Sequence, residues 1–277
     1  MSTIRRCPGG ARRVARCAQA AVSALTCIAL GACATPGGQR TPTAHSAASP
    51  PAATSTVTAT PRATAVDPGR AATSAAATAA ALASATVSAL RAAASEIFRD
   101  GFVDNRNAWF TGVFQEVERN TIEEGVFKVS WTGKGSSYEL YELRELRDFI
   151  AEVDCRVYRG GGDGSCGLIF ARQPDASFYK FELFEDYYRL YLVMAGETPA
   201  LLAEGNPGAS VRPGETNRLR VIRHGATISS YVNEQLLATV QDATLGGGKV
   251  GLATDSYAAE GGVELWLDNF VIWELPA

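Results

Sequence analysis

"DFIAEVDCRVY" (residues 148–158), followed by "RGGGDG" (159–164) and "SCGLIFAR" (165–172), decides the fold. Phe149, Ala151, Val153, Cys155 and Val157 alternate with a charged set, Asp148, Glu152, Asp154 and Arg156. A period of two puts the first set on one face of an extended strand and the second on the other. Beyond the glycine-rich turn, Cys166, Leu168 and Phe170 repeat the pattern, so the two runs read as a hairpin. The same signal recurs outward along the chain. Runs at 113–119, 126–131, 177–184, 187–194, 217–223, 227–232, 235–240, 249–254 and 263–275 are short and rich in β-branched or aromatic residues. Turn signals such as "EDYY", "RHG", "VNE" and "LGGGK" separate them. About a dozen short strands with few helical stretches predict an all-β domain of two stacked antiparallel sheets.

Composition sets the limits of that domain. All 24 aromatic residues lie at or after Phe98, and a core needs large apolar side chains. Residues 1–95 therefore build none, and 96–277 suit one domain of ordinary size. Charge divides at the same place. Residues 1–95 carry nine arginines and a single acid, Asp67, whereas 96–277 carry 17 basic and 28 acidic residues, a net of −11. Such a domain repels phosphate backbones, which argues against a nucleic-acid partner and against docking on anionic lipid.

The front end reads as an address. Arg5, Arg6, Arg12, Arg13 and Arg16 precede an apolar run of fifteen residues at 18–32, "AQAAVSALTCIALGA". That is short for a bilayer-spanning helix, which needs about 20 residues, and suits a signal peptide over 1–32. Leu30-Gly31-Ala32-Cys33 resembles the lipobox of bacterial lipoproteins. The resemblance implies a diacylated Cys33 as the first mature residue, contact with the membrane only through that anchor, and an exported protein at the cell surface or in the periplasm. An ordinary secretory signal is the alternative. Of residues 34–95, 47 of 62 are Ala, Thr, Ser or Pro, a disordered tether spanning roughly 40–50 Å as a coil. Its alanine-rich last third can turn helical, with an apolar stripe too thin to owe much to packing.

Cys155 and Cys166 face the expected core from either side of the glycine-rich turn. In an exported protein this favours a disulfide over two buried thiols.

Four stretches carry a resemblance: "FRDGFVDNRNAWFTG" (98–112), the middle "CGLIFARQPDASFYKFELFEDYYRLYLV" (166–193), "NRLRVIRHGATISSYVNEQLLATVQDATLGGGKVGLAT" (217–254) and "LWLDNFVIW" (265–273). Together they are similar to the concanavalin A-like lectin/glucanase jelly roll, and more narrowly to LamG-like domains and the 3-keto-disaccharide hydrolase domain. The resemblance implies ligands on a concave sheet face or at loop tips. Its glucanase branch uses a Glu-x-Asp-x-Glu strand, where alternation sets three carboxylates on one face. The nearest match here is Glu152-Val153-Asp154-Cys155-Arg156, whose third position is a guanidinium that cannot donate a proton. These three read as a solvated charged face.

Sugars are held by aromatic faces and hydrogen-bonding groups. Lys180, Glu182, Arg189 and Tyr191 share the outward parity of two central strands, and Arg172 and Tyr179 flank them. Tyr138 and Tyr141 are further aromatics at an expected rim. Asp100, Asp104 and Asp268, with Asn105, form a candidate structural calcium set of oxygen ligands, although the same residues serve ordinary turns. The expected function is a non-catalytic, lipid-anchored module binding carbohydrate or another envelope ligand. The alternatives are a hydrolase of the 3-keto-disaccharide kind and a protein-docking domain.

Overall fold

A computed structural model describes residues 84–276 and the backbone of a short strand at Ala15–Ala18. Cys33, the rest of the signal segment and the tether as far as residue 83 lie outside the described residues.

The elements are β1 (Ala15–Ala18), helix α1 (84–93), β2 (Ser95–Asp100), β3 (Gly112–Phe114), β4 (Glu118–Glu123), β5 (Val126–Trp131) and β6 (Gly135–Leu146). There follow β7 (Phe149–Arg159), β8 (Gly164–Arg172), β9 (Phe178–Leu183), β10 (Tyr188–Val193) and β11 (Ala200–Gly205). The last are β12 (Asn217–His224), β13 (Thr227–Val232), β14 (Gln235–Gln241), β15 (Gly248–Ser256) and β16 (Val263–Glu274). They form two antiparallel sheets. One has the order β1-β6-β15-β8-β9-β10-β11; the other runs β14-β13-β12-β7-β16-β5-β4-β3, with β2 also on β16.

Alternation explains the core. Phe149, Ala151, Val153 and Cys155 of β7, Leu219 and Val221 of β12, and Leu265 and Leu267 of β16 point inward from the nine-stranded sheet. Leu168 and Phe170 of β8, Phe181 of β9, Leu190 of β10 and Leu252 of β15 meet them from the seven-stranded sheet. All are essentially buried, which is the main driving force for stacking the sheets.

The hairpin expected at 148–172 does not form. β7 pairs with β12 and β16, whereas β8 pairs with β15 and β9, so the chain changes sheet at the glycine-rich segment. Gly160 (φ 98°) and Gly161 (φ 45°) take left-handed conformations that glycine adopts without a Cβ penalty. Cys155 and Cys166 are joined, Cα atoms 6.2 Å apart, and the bond ties one sheet to the other rather than two neighbours in one sheet. Periodicity specifies which face of a strand is buried but not which sheet the strand enters.

Helix α1 falls within the alanine-rich stretch and owes its place to packing after all. Val87 is buried against Ile150, Ile222, Tyr231, Val271 and Trp273, with Leu90 alongside. This covers part of the outer face of the nine-stranded sheet, and it explains why Ile150 and Ile222 break the apolar–polar alternation of β7 and β12. Arg91 of the helix places its guanidinium 4.3 Å from the Trp273 ring centre and donates to Glu152 Oε2 at 2.8 Å.

Cys155 and Cys166 are 11 residues apart, so removing the bond lowers the unfolding free energy by about 3 kcal/mol. The expected outcome is a clear drop in melting temperature on adding reductant, reproduced by the Cys155→Ala/Cys166→Ala variant. A melting curve indifferent to both would contradict a structural bond.

Candidate functional site

The outward residues of the seven-stranded sheet gather around β9. Register places Tyr191 opposite Lys180 and Arg189 opposite Glu182. On the other side Glu182 faces Gly167 of β8, and Ser165 of β8 faces Asp255 of β15. Gly167 presents no side chain, so Lys180 and Glu182 reach across it toward Asp255.

The result is a closed ionic network. Lys180 Nζ contacts Asp255 Oδ2 directly and lies 3.3 Å from Glu182 Oε2. Arg189 Nε donates to Glu182 Oε1 at 2.6 Å, and its Nη2 donates to the Tyr257 hydroxyl at 2.7 Å. The Ser165 hydroxyl lies 3.2 Å from both Glu182 Oε2 and Asp255 Oδ2. Lys180, Glu182 and Asp255 are all buried. Burying a charge this far is tolerated only when it is paired and hydrogen-bonded, and here two cations match two carboxylates.

Electrostatics follow from that arrangement. Burial works against a charged Lys180, but the carboxylates of Asp255 and Glu182 hold its ammonium well above the ordinary lysine value. Burial raises the Glu182 carboxyl, as does the charge of Asp255, against the pull of Lys180 and Arg189. Burial also lifts the Tyr191 and Tyr257 phenols, which stay protonated.

Above this foundation sits the reachable layer. Tyr257 is 40% exposed, Tyr191 is half-buried, and the Arg189 side chain is 31% exposed. The Arg189 guanidinium lies 5.0 Å from the Phe184 ring centre, 5.3 Å from Tyr257 and 5.8 Å from Tyr191. Phe184 and Tyr257 pack together at 5.5 Å. The face is a cationic centre ringed by aromatics.

The structure brings together Lys180, Glu182, Arg189 and Tyr191 from the expected set and leaves out two members. Tyr179 points inward into the core, stacked on Phe170 at 5.4 Å. Its hydroxyl donates to Asp242 Oδ1 at 2.6 Å and accepts the Leu245 N–H at 3.1 Å. Burial and the bond to Asp242 push this phenol up to about 12. Arg172 lies at the far end of β8, beyond the apolar patch of Ile169, Phe178 and Ala253, and donates to the Tyr138 hydroxyl at 3.0 Å. Tyr138 belongs to that outer patch, whereas Tyr141 is in the core rather than at a rim. Asp255, Ser165 and Tyr257 join the site unannounced. The expected strand stopped at Thr254, one residue before Asp255.

Glu152 is not solvated. It is buried beneath α1, bound by Arg220 Nε at 2.5 Å and by Arg91. Asp154 is held by Arg218 through two bonds, at 2.8 and 3.0 Å. The calcium set does not assemble either. Asp100 spends its oxygens on the Phe102 N–H, the Asn107 amide and the Trp109 indole, and Asp104 pairs with Arg106. Asp268 accepts from the backbone and amide of Asn269. Among the described residues no group of three or more His, Cys, Asp or Glu side chains is arranged to hold a metal ion.

Several solved structures share this architecture. One is a Bacillus subtilis protein of unknown function with a galectin-like fold, 12% identical, with a TM-score of 0.51 over 66% of this chain and 98% of that one. Another is the laminarinase catalytic domain of Thermotoga maritima, 9% identical, TM-score 0.51, over 66% and 99%. A third is an endo-β-1,3-glucanase of Pyrococcus furiosus, 9% identical, TM-score 0.51, over 66% and 95%. The domain has the two-sheet antiparallel jelly-roll fold of these proteins. At these identities the likeness concerns the fold alone. No protein-family model matches the chain, and no curated relative does.

Within this jelly roll, Lys180→Met leaves buried Asp255 without its cation and Glu182 with Arg189 alone, and lowers stability by about 3–5 kcal/mol, measured by denaturant unfolding. A loss below about 1 kcal/mol would mean that the network is solvated. A second test concerns Tyr179. Burial acts to raise Asp242, but the hydrogen bonds from Tyr179 and Thr244 outweigh it and leave the carboxyl below the ordinary 3.8. A depressed folded pKa contributes stability above the unfolded value that disappears as pH falls through the folded one. Wild type therefore melts above Asp242→Asn at neutral pH, and the gap closes below that value. A gap that persisted or widened in acid would refute the assignment.

Proposed function

We propose that the protein is a non-catalytic carbohydrate-binding module, exported and lipid-anchored through Cys33, that holds its ligand over Arg189, Tyr191 and Tyr257. One observation carries the reading. The ionic residues of the face satisfy one another below the surface, while an arginine and two tyrosines stay reachable above them. A guanidinium offers fixed N–H donors to sugar hydroxyls, and tyrosine faces accept the C–H faces of a pyranose while keeping a polar tip in water. The shared fold with a laminarinase and an endo-β-1,3-glucanase supports the ligand class. It makes β-1,3-gluco-oligosaccharides the first ligands to try.

A hydrolase is the second reading, favoured by one observation: Glu182 and Asp255 both lie within 3.2 Å of a single hydroxyl. Paired carboxylates on one face are what glycoside hydrolysis uses. Against it, Lys180 and Arg189 neutralise both groups, and neither carboxylate is open to a substrate oxygen.

Calorimetry and a glycan array on the full-length protein decide the matter. Tyr257→Ala weakens saccharide binding by about tenfold or more while the melting temperature changes little, and Arg189→Ala weakens binding to the same extent but also lowers the melting temperature, because it takes a cation from buried Glu182. Binding that ignores both substitutions, or an empty array, would leave a protein-docking role. Release of reducing sugar from plain or 3-keto disaccharides, abolished in Glu182→Gln, would install the hydrolase. Mass spectrometry of the mature amino terminus finds two acyl chains on Cys33 and none in Cys33→Ser; an unmodified terminus would remove the anchor.

A further inference from the structure

We propose that a second ligand site lies on the outer face of the nine-stranded sheet and takes a carboxylated saccharide, a uronate. A groove of about 660 Å³ opens there, lined by Asp154, Arg156, Arg212, Glu215, Arg218 and Glu234. Three guanidiniums and three carboxylates line it, but they are not paired one to one. Arg218 closes on Asp154 through two hydrogen bonds. Arg220, behind the groove, closes on both oxygens of Glu234 at 2.6 and 2.7 Å. Asp154 and Glu234 are thereby spoken for.

Two guanidiniums remain. Arg212 donates to the Thr216 carbonyl at 3.1 Å, has the Asn233 amide oxygen at 3.4 Å, and approaches the exposed Glu215 only to 4.0 Å. Arg156 donates through Nε to the Gly214 carbonyl at 2.6 Å. Each guanidinium carries five N–H groups, so both keep donors without a hydrogen-bonded carboxylate partner. A planar oxyanion is the group that a guanidinium edge recognises best. In a domain with a net charge of −11, such a pair stands against the general field.

A second observation makes the ligand a sugar. Arg156 lies 5.0 Å from the Tyr158 ring centre and 5.2 Å from that of Trp266. The two rings stack on each other at 4.1 Å and 11°, and Tyr158 is 39% exposed. A groove with two guanidiniums that keep donors for an oxyanion therefore borders an aromatic surface. A pyranose carrying a carboxylate fits both, with the acid on Arg156 and Arg212 and the ring beside Tyr158. Thr216 and Glu215 in the lining offer partners for sugar hydroxyls.

This site is independent of the Arg189–Tyr257 face, and the test separates the two. The full-length protein in detergent is titrated by calorimetry with trigalacturonate, its methyl ester and adenosine monophosphate. The acid binds, and the ester, which has the same shape without the charge, binds at least about tenfold more weakly. The Arg156→Gln/Arg212→Gln variant loses the acid to the same extent with its melting temperature retained, while Arg189→Ala and Tyr257→Ala bind it as wild type does. Should the double variant melt early, Arg212→Gln alone, at an exposed side chain, serves instead. Equal binding of acid and ester, no binding of the acid, binding retained without the arginines, binding lost in Arg189→Ala or Tyr257→Ala, or tighter binding of the nucleotide would each overturn the proposal.

Discussion

Lys180 holds its charge at 3% side-chain exposure, and the open face of the seven-stranded sheet is organised around that fact. An ammonium so far from water survives only among carboxylates, and Glu182 and Asp255 supply them. Glu182 in turn fixes Arg189, and Arg189 fixes the Tyr257 hydroxyl. Removing rotamer freedom from the exposed arginine in advance lowers the entropy lost when a ligand arrives. The same strand serves the interior: every residue of β9 is buried, with Phe181 in the core and Lys180 in the network. Site and core are thus two faces of one strand, so damage to either is felt by the other.

The opposite sheet treats its outer face differently. There α1 lies across Ile150, Ile222 and Trp273, and its Arg91 continues a ladder through Glu152 and Arg220 to Glu234. Each step alternates sign, so no buried charge is stranded even though the ladder passes under a helix. Between the two faces, the Cys155–Cys166 bond spans the core where the chain crosses from one sheet to the other. One outer face is partly capped and laced by arginines, and the other carries the reachable Arg189 guanidinium among tyrosines.

Much of this was readable in the residues. Phe149, Ala151, Val153 and Cys155 announced their burial by spacing alone, and parity grouped Lys180, Glu182, Arg189 and Tyr191 before any register was known. The departures have separate causes. Tyr179 was placed with Lys180 by proximity although parity sends it inward, where Asp242 and Leu245 receive its hydroxyl. Asp255 lies 75 residues from Lys180, and only the pairing of β15 with β8 and β8 with β9 brings them together. Glu152 looked solvated because nothing in β7 reports that a helix from a low-complexity stretch will lie over it. Asp100, Asp104 and Asp268 had the right atoms for calcium, but local hydrogen bonds to Phe102, Trp109, Arg106 and Asn269 claimed them first.

The amino-acid sequence by itself determined the strand periods and the buried face of most strands, because side-chain alternation is a property of each extended segment. Tertiary structure alone decided that β7 and β8 enter different sheets, that the disulfide bridges those sheets, and that Lys180 meets Asp255. Those outcomes depend on which strands become neighbours. Neighbour choice is settled by burying all the apolar faces at once, a condition that no single segment of the chain contains.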